Sequence, residues 1–198
     1  GGHSIAEAKS GLLWFAGHQG VFTYDPATPD APVKQVFATE GRVGTDRSGH
    51  IWVSTDRRLF HFKEGERTEL QSPIPVRAAG EAPPPFSLRP GRIFFQLEDS
   101  QGRSWFSTDG YGAFRYDPAA RADQAWTHYT KADGLCSNTP WNIVEDREGR
   151  IWFACIQAFQ PQETGDGGLC VLDPSAPLRV GTSAFTAFPD VPGLHHND

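Results

Sequence analysis

Apolar and polar positions alternate along this chain in short stretches, each closed by a turn signal, and the period is that of β-strands. The clearest unit begins Ile143-Val144-Glu145-Asp146, turns through Arg147-Glu148-Gly149, and resumes as Arg150-Ile151-Trp152-Phe153-Ala154. Asp suits the start of such a turn, and Gly supplies the positive φ it needs. Gly167-Gly168 reopens the chain into Leu169-Cys170-Val171-Leu172. Asp173-Pro174 then ends the strand, because proline cannot donate to a continuing ladder. The stretch from Ala125 to Thr130 carries the same two-residue alternation.

The unit recurs. A tryptophan follows a glycine by three positions at Gly11/Trp14, Gly49/Trp52, Gly102/Trp105 and Gly149/Trp152. The turn acids are Asp46, Asp99 and Asp146; the first unit has Ala8 there and lacks that side-chain acceptor. A Gly and aromatic recurring over a few tens of residues, with four short strands per unit, predicts blades. The expected fold is an all-β propeller of four-stranded antiparallel blades, as a single domain over 1–198. The blades fall at about 4–39, 43–70, 92–130 and 141–188. Trp14, Trp52, Trp105 and Trp152 hold one position in every unit and are expected to pack between blades. The two ends belong together as well: Pro192-Gly193-Leu194-His195-His196-Asn197 has the shape of Asp133-Gly134-Leu135-Cys136-Ser137-Asn138, which leads into a blade. Either the ring closes with four blades, or the chain is a stretch of a larger propeller. The chain contains no methionine, and Gly1-Gly2-His3-Ser4 reads as a scar or a cut point.

These units resemble the two-component regulator propeller repeat, carried here by Tyr129-Thr130-Lys131-Ala132-Asp133-Gly134-Leu135-Cys136-Ser137-Asn138 and then Ile143, Glu145, Asp146, Gly149 and Trp152. The chain departs from that pattern in having Ser or Ala where Gly usually precedes Thr, and in the interrupted hairpin after Cys155. The resemblance implies an extracytoplasmic sensor propeller of a bacterial hybrid histidine kinase, periplasmic or secreted, whose relatives often respond to glycans. No kinase, receiver or helix-turn-helix segment is visible, so signalling output is not expected to be encoded in this sequence. The turns are also similar to the Asp-box of sialidases, but that box has one residue fewer between Asp and Gly. Nor do they hold the alternating oxygens of a calcium loop.

Composition narrows the partners. The net charge of −6 and the lack of a basic cluster argue against nucleic acid. No apolar run approaches the roughly 18 residues of a membrane span. Three cysteines are too few for a disulfide scaffold; Cys155 and Cys170 flank one hairpin and are a possible pair. His3, His195 and His196 form a weak candidate metal set, set aside because strand neighbours point apart and ends are loose. No metal and no cofactor is expected, and His50, His61 and His128 read as structural.

Loops from second to third strands, and from one blade to the next, rise on one face. Two insertions belong there, Gln71 to Gly91 and Ile156 to Gly167. The same face is expected to carry His18, Gln19, Asp109, Tyr111, Asn138, Trp141 and Gln157. An aromatic ring beside amides and an acid suits a sugar, whose apolar face stacks while its hydroxyls find polar partners. No catalytic motif appears. The expected function is therefore non-catalytic binding or sensing of a small polar ligand such as an oligosaccharide. The alternatives are a structural fragment that self-associates through unfinished blade edges to complete a larger ring, and a propeller lyase or glycosidase.

Overall fold

The computed structural model describes residues 4–55, 58–63, 65–76, 80, 82, 92–155, 167–174 and 183–188. These residues make four four-stranded sheets, each an antiparallel meander of consecutive strands. The first sheet holds β1 (Ser4–Glu7), β2 (Leu13–Gly17), β3 (Gly20–Tyr24) and β4 (Lys34–Phe37). The second holds β5 (Gly41–Thr45), β6 (Ile51–Thr55), β7 (Arg58–Lys63) and β8 (Glu66–Gln71). The third holds β9 (Ile93–Glu98), β10 (Ser104–Thr108), β11 (Ala113–Tyr116) and β12 (Trp126–Tyr129). The fourth holds β13 (Pro140–Glu145), β14 (Ile151–Cys155), β15 (Gly168–Leu172) and β16 (Phe185–Phe188). This is a β-propeller architecture of four blades. No helix among the described residues is long and apolar enough to cross a membrane.

Three cores join the blades in order. Trp14 and Val21 of the first sheet meet Val53 and Phe60 of the second. Trp52 and Leu59 of the second meet Phe106 and Phe114 of the third. Trp105 and Ala113 of the third meet Phe153, Cys170 and Phe185 of the fourth. The indoles lie against rings of the next blade: Trp14 is 4.7 Å from Phe62, Trp52 is 5.1 Å from Phe106, and Trp105 is 5.8 Å from Phe153. Trp152 is only half-buried and stacks on Phe188 of its own sheet at 5.4 Å. None of the three cores joins the fourth sheet to the first. The outer face of the first sheet shows Ile5, 71% exposed, beside the half-buried, stacked pair Phe15 and Phe22. The outer face of the fourth shows Val144, 52% exposed.

The Asp turns explain how such short hairpins hold. In each, the Asp carbonyl accepts the N–H of the glycine three residues on, at 3.0–3.1 Å, and those glycines have φ of 78–79°. Gly49 has a second reason to lack a side chain: its carbonyl accepts Lys9 N–H at 2.8 Å, and a Cβ there would sit 2.7 Å from the Lys9 Cβ. One carboxylate oxygen of each Asp takes the N–H groups two and four residues on, as Asp99 does with Gln101 at 3.0 Å and Arg103 at 2.9 Å. In the third and fourth blades the other oxygen holds the indole, Trp105 to Asp99 at 2.8 Å and Trp152 to Asp146 at 2.7 Å. The glutamate before the Asp latches blade to blade. Glu98 accepts Arg47 N–H at 3.1 Å, and Glu145 accepts Ser100 N–H at 2.9 Å. Arg47 also reaches Glu145 directly, so the second blade's turn touches the fourth blade.

Asp146 shows what this turn does to a carboxyl. Burial alone would raise its pKa. The Trp152 indole, the Arg150 backbone N–H and the Arg150 guanidinium outweigh that and hold it at about 2, below the usual 3.8. A depressed carboxyl stabilises the fold above its unfolded pKa and loses that effect as pH falls through the folded one. The difference in thermal midpoint between the wild type and Asp146→Asn is expected to be constant above about pH 5 and to shrink from about pH 4 to pH 2. A difference independent of pH over that window would contradict the role.

Candidate functional site: the channel mouth

The first strand of each sheet lines the axis, so four inner strands converge there. They enclose a cavity of about 220 Å³ that Ser4 of β1, Arg42 of β5, Gln96 of β9 and Asn142 of β13 all help to line. Trp141 borders the same cavity and is 65% exposed. Strand alternation accounts for these positions: the residues that face the axis cannot also enter the apolar cores between blades.

Arg42 is fixed over the Phe94 ring, 4.6 Å from its centroid, a cation–π arrangement. Burial first, then the nearby Arg92 cation, lower its pKa, and Glu40 partly opposes them. Arginine nevertheless stays charged, so the cavity holds a fixed guanidinium. Gln96 donates to Ser107 Oγ at 2.7 Å, which sets the orientation of its amide. Val43 N–H donates to Ser4 Oγ at 2.8 Å, tying β1 to β5 beside the cavity.

The residues anticipated for the ligand face separate into groups. Among those within the described residues, Trp141 alone lines the cavity. His18 Nδ1 lies 3.1 Å from Glu40, whose two carboxylate oxygens are taken by the Arg92 guanidinium at 2.9 and 2.7 Å. Asp109 N–H approaches the Arg92 carbonyl at 3.4 Å, so a polar path crosses three blades on this face. Gln19 is exposed, and its carbonyl accepts from the Gln35 amide at 3.0 Å. Tyr111 packs into the core between the second and third blades; its carbonyl lies 2.6 Å from His128 Nε2. Asn138 accepts Gly112 N–H at 2.7 Å through its backbone and Lys131 N–H at 2.9 Å through its side chain. Tyr111 and Asn138 therefore support the face. Gln157, His3, His195, His196 and most of both insertions lie outside the described residues.

Arg42, Phe94, Gln96 and Asn142 were not anticipated. The available signal was positional: polar residues one strand inward of each turn unit, on the strands that line the axis. A second hollow, about 410 Å³, lies between the first two blades, but Leu12, Trp14, Ile51 and Phe62 give it an apolar wall.

Two other clusters bring together groups able to hold a metal. In the second blade, His61 Nε2 lies 2.9 Å and His50 Nδ1 3.3 Å from one oxygen of Asp46. His61 takes the carboxylate position that the indole occupies elsewhere, and it stacks on Trp52 at 4.1 Å. The Trp52 indole N–H is consequently buried without a partner. The arrangement is a local substitute for the Arg and indole of the third and fourth turns. The other cluster holds Cys155 and Cys170, the possible pair, which are not cross-strand partners. Cys155 stands opposite Gly168, and Cys170 stands opposite Phe153. All three cysteines are free thiols, with Cys136 in contact with both others.

Residues 134–157 match the family model described as two component regulator propeller. No curated protein matches the chain. Solved structures resemble it over most of its length. The extracellular domain of BT4673 from B. thetaiotaomicron, described as a hybrid two component system, is 18% identical with a TM-score of 0.60, over 88% of this chain and 24% of that one. That of BT3049 from the same organism, described likewise, is 22% identical with a TM-score of 0.56, over 87% and 22%. A protein of unknown function from Bacteroides caccae is 13% identical with a TM-score of 0.50, over 87% and 57%. The chain spans about a quarter of the two-component chains it resembles. With its four sheets, its Asp turns and the match at 134–157, this chain carries the two component regulator propeller repeat in a β-propeller fold.

Proposed function

We propose that the chain is a non-catalytic, extracytoplasmic ligand-sensing module that takes a small polar ligand, a glycan first among them, at the channel mouth. The observation that carries this reading is the exposed Trp141 indole beside Arg42, Gln96 and Asn142 in one cavity. A sugar ring stacks on an indole while its hydroxyls meet guanidinium and amide groups. The cavity is smaller than the roughly 300–1,000 Å³ of common ligand sites, which fits one sugar unit rather than a long chain. Its described lining contains no carboxylate or imidazole, so it offers no general acid–base pair. The His18–Glu40 pair above it has Glu40 clamped by Arg92. The relatives' description as extracellular domains of two component systems supports a sensing role and a place outside the cytoplasm.

Thermal unfolding against neutral and uronic-acid oligosaccharides tests this. A ligand at a hundredfold over its dissociation constant adds about 2.7 kcal/mol. At this chain length that raises the midpoint by about 5 °C or more. Trp141→Ala is expected to abolish the shift and leave the unliganded midpoint nearly unchanged, because the indole is mostly exposed. A flat response across the panel counts against the glycan reading. It would favour the second, a structural segment that self-associates into a larger ring, which rests on the uncovered faces around Ile5 and Val144.

A further inference from the structure

The repeat supplies its own comparison for the three cysteines. The last residue of the second strand is Thr55 in the second blade, Thr108 in the third and Cys155 in the fourth. The core position on the third strand is Phe60, then Phe114, then Cys170, each opposite Val53, Phe106 and Phe153 respectively. The fourth blade alone of these three replaces both a threonine and a phenylalanine with cysteine. The connector ahead of β13 adds Cys136 at the same point. The Cys136 sulfur lies 2.7 Å from Cys155 Sγ and 2.7 Å from Cys170 Sγ.

We propose that these residues form a redox-active three-sulfur site in which Cys136 is the shared partner of one disulfide, bonded to either Cys155 or Cys170. A soft metal ion is the competing occupant. Thiolates on zinc, at about 2.3 Å from the metal, stand roughly 3.8 Å apart. Both contacts would have to open by about 1 Å within a packed core. A disulfide of about 2.05 Å needs one contact to close by about 0.65 Å and leaves the other free to relax.

The chemistry balances with a small-molecule disulfide of the glutathione type as oxidant. One cysteine thiolate attacks a sulfur of the oxidant and expels one thiolate, forming a mixed disulfide. A second cysteine attacks the protein sulfur of that mixed disulfide, expels the second small thiol and closes the protein bond. Two cysteine protons and two electrons leave the protein, and one oxidant disulfide becomes two thiols. The third cysteine can then attack Cys136 and release its first partner without net oxidation. Cys170 is fully buried and Cys136 and Cys155 nearly so, so the first attack requires the cluster to open. The Cys136 and Cys155 thiols beside Cys170 lower its pKa to about 4 against burial, helped by the Cys136 backbone N–H that donates to its sulfur at 3.2 Å. Cys155 is pushed up by its hydrogen bonds to Cys136 and Cys170 and by burial. Either bond would tie the connector carrying Asn138 to the middle hairpin of the fourth blade, at Cys155 of β14 or Cys170 of β15.

The full chain and its Cys136→Ser, Cys155→Ser and Cys170→Ser variants are incubated with glutathione disulfide, then alkylated under denaturing conditions and weighed intact. The wild type is expected to lose two hydrogens and keep one alkylatable thiol. Cys155→Ser and Cys170→Ser are each expected to close one disulfide, and Cys136→Ser none. Three free thiols in the wild type, a stable glutathione adduct in place of ring closure, or a disulfide in Cys136→Ser would overturn the proposal. So would failure of either of the other variants to close while its circular dichroism stays native. If a variant does not fold, peptide mapping of the oxidised wild type decides: every linked peptide must contain Cys136.

Discussion

Trp105→Ala is expected to destabilise the protein by about 3–5 kcal/mol, and Trp152→Ala by less than half as much. The two tryptophans are equivalent in the repeat and each bonds the Asp of its own turn. Their surroundings differ. Trp105 is fully buried among Phe153, Tyr129 and the third core, so its removal leaves a cavity that neighbouring blades cannot fill. Trp152 has solvent on one side, with Phe188 stacked on it at 5.4 Å and the Arg150 guanidinium 5.7 Å from its ring centre. Urea unfolding of the two variants measures the contrast. Equal losses would mean that the fourth blade's outer face is covered in solution, which would strengthen the self-association reading.

The second large effect lies at Asp99. Asp99→Ala is expected to cost about 3–5 kcal/mol, because it strands an arginine and an indole in a buried site. The carboxylate is fully buried and accepts from Gln101 N–H, Arg103 N–H, Arg103 Nε at 2.7 Å and the Trp105 indole. Asp99→Asn keeps the shape and one acceptor and should lose less. A cost below about 1 kcal/mol for the alanine variant, read from the same unfolding curves, would show that the turn holds without its acid.

Some of the candidate site was legible in the chain. Trp141 was named because an aromatic beside amides suits a ligand face, and it borders the cavity. Tyr111 and Asn138 have the same chemical character but spend it on the core and on connector hydrogen bonds. No local pattern separates those fates, because the difference lies in which neighbouring blade each group meets. Arg42 was passed over for the complementary reason: a lone arginine in a strand reads as a solvated face until the sheet is known to turn that face toward the axis. The cysteine pairing depended on register. Cys155 and Cys170 flank one hairpin, but opposite residues are fixed strand by strand, and Cys136 enters from a distant connector.

By itself the sequence determined the local units. The glycines set positive φ, the acids close the turns, and the two-residue alternation makes strands, all of which act over a few residues. It also determined the repeat, since each copy of the Gly–Trp turn unit folds locally in the same way. Only the tertiary structure decided which face each copy buries. β6 and β10 bury all five of their residues, because a blade lies on each side. β2 buries Trp14 and Ala16 alone, and β14 buries Ile151, Phe153 and Cys155 alone. The patterns of these four strands are nearly the same, and burial depends on what lies across the sheet rather than along the chain. The channel cavity arises in the same way, from four inner strands that no single unit contains.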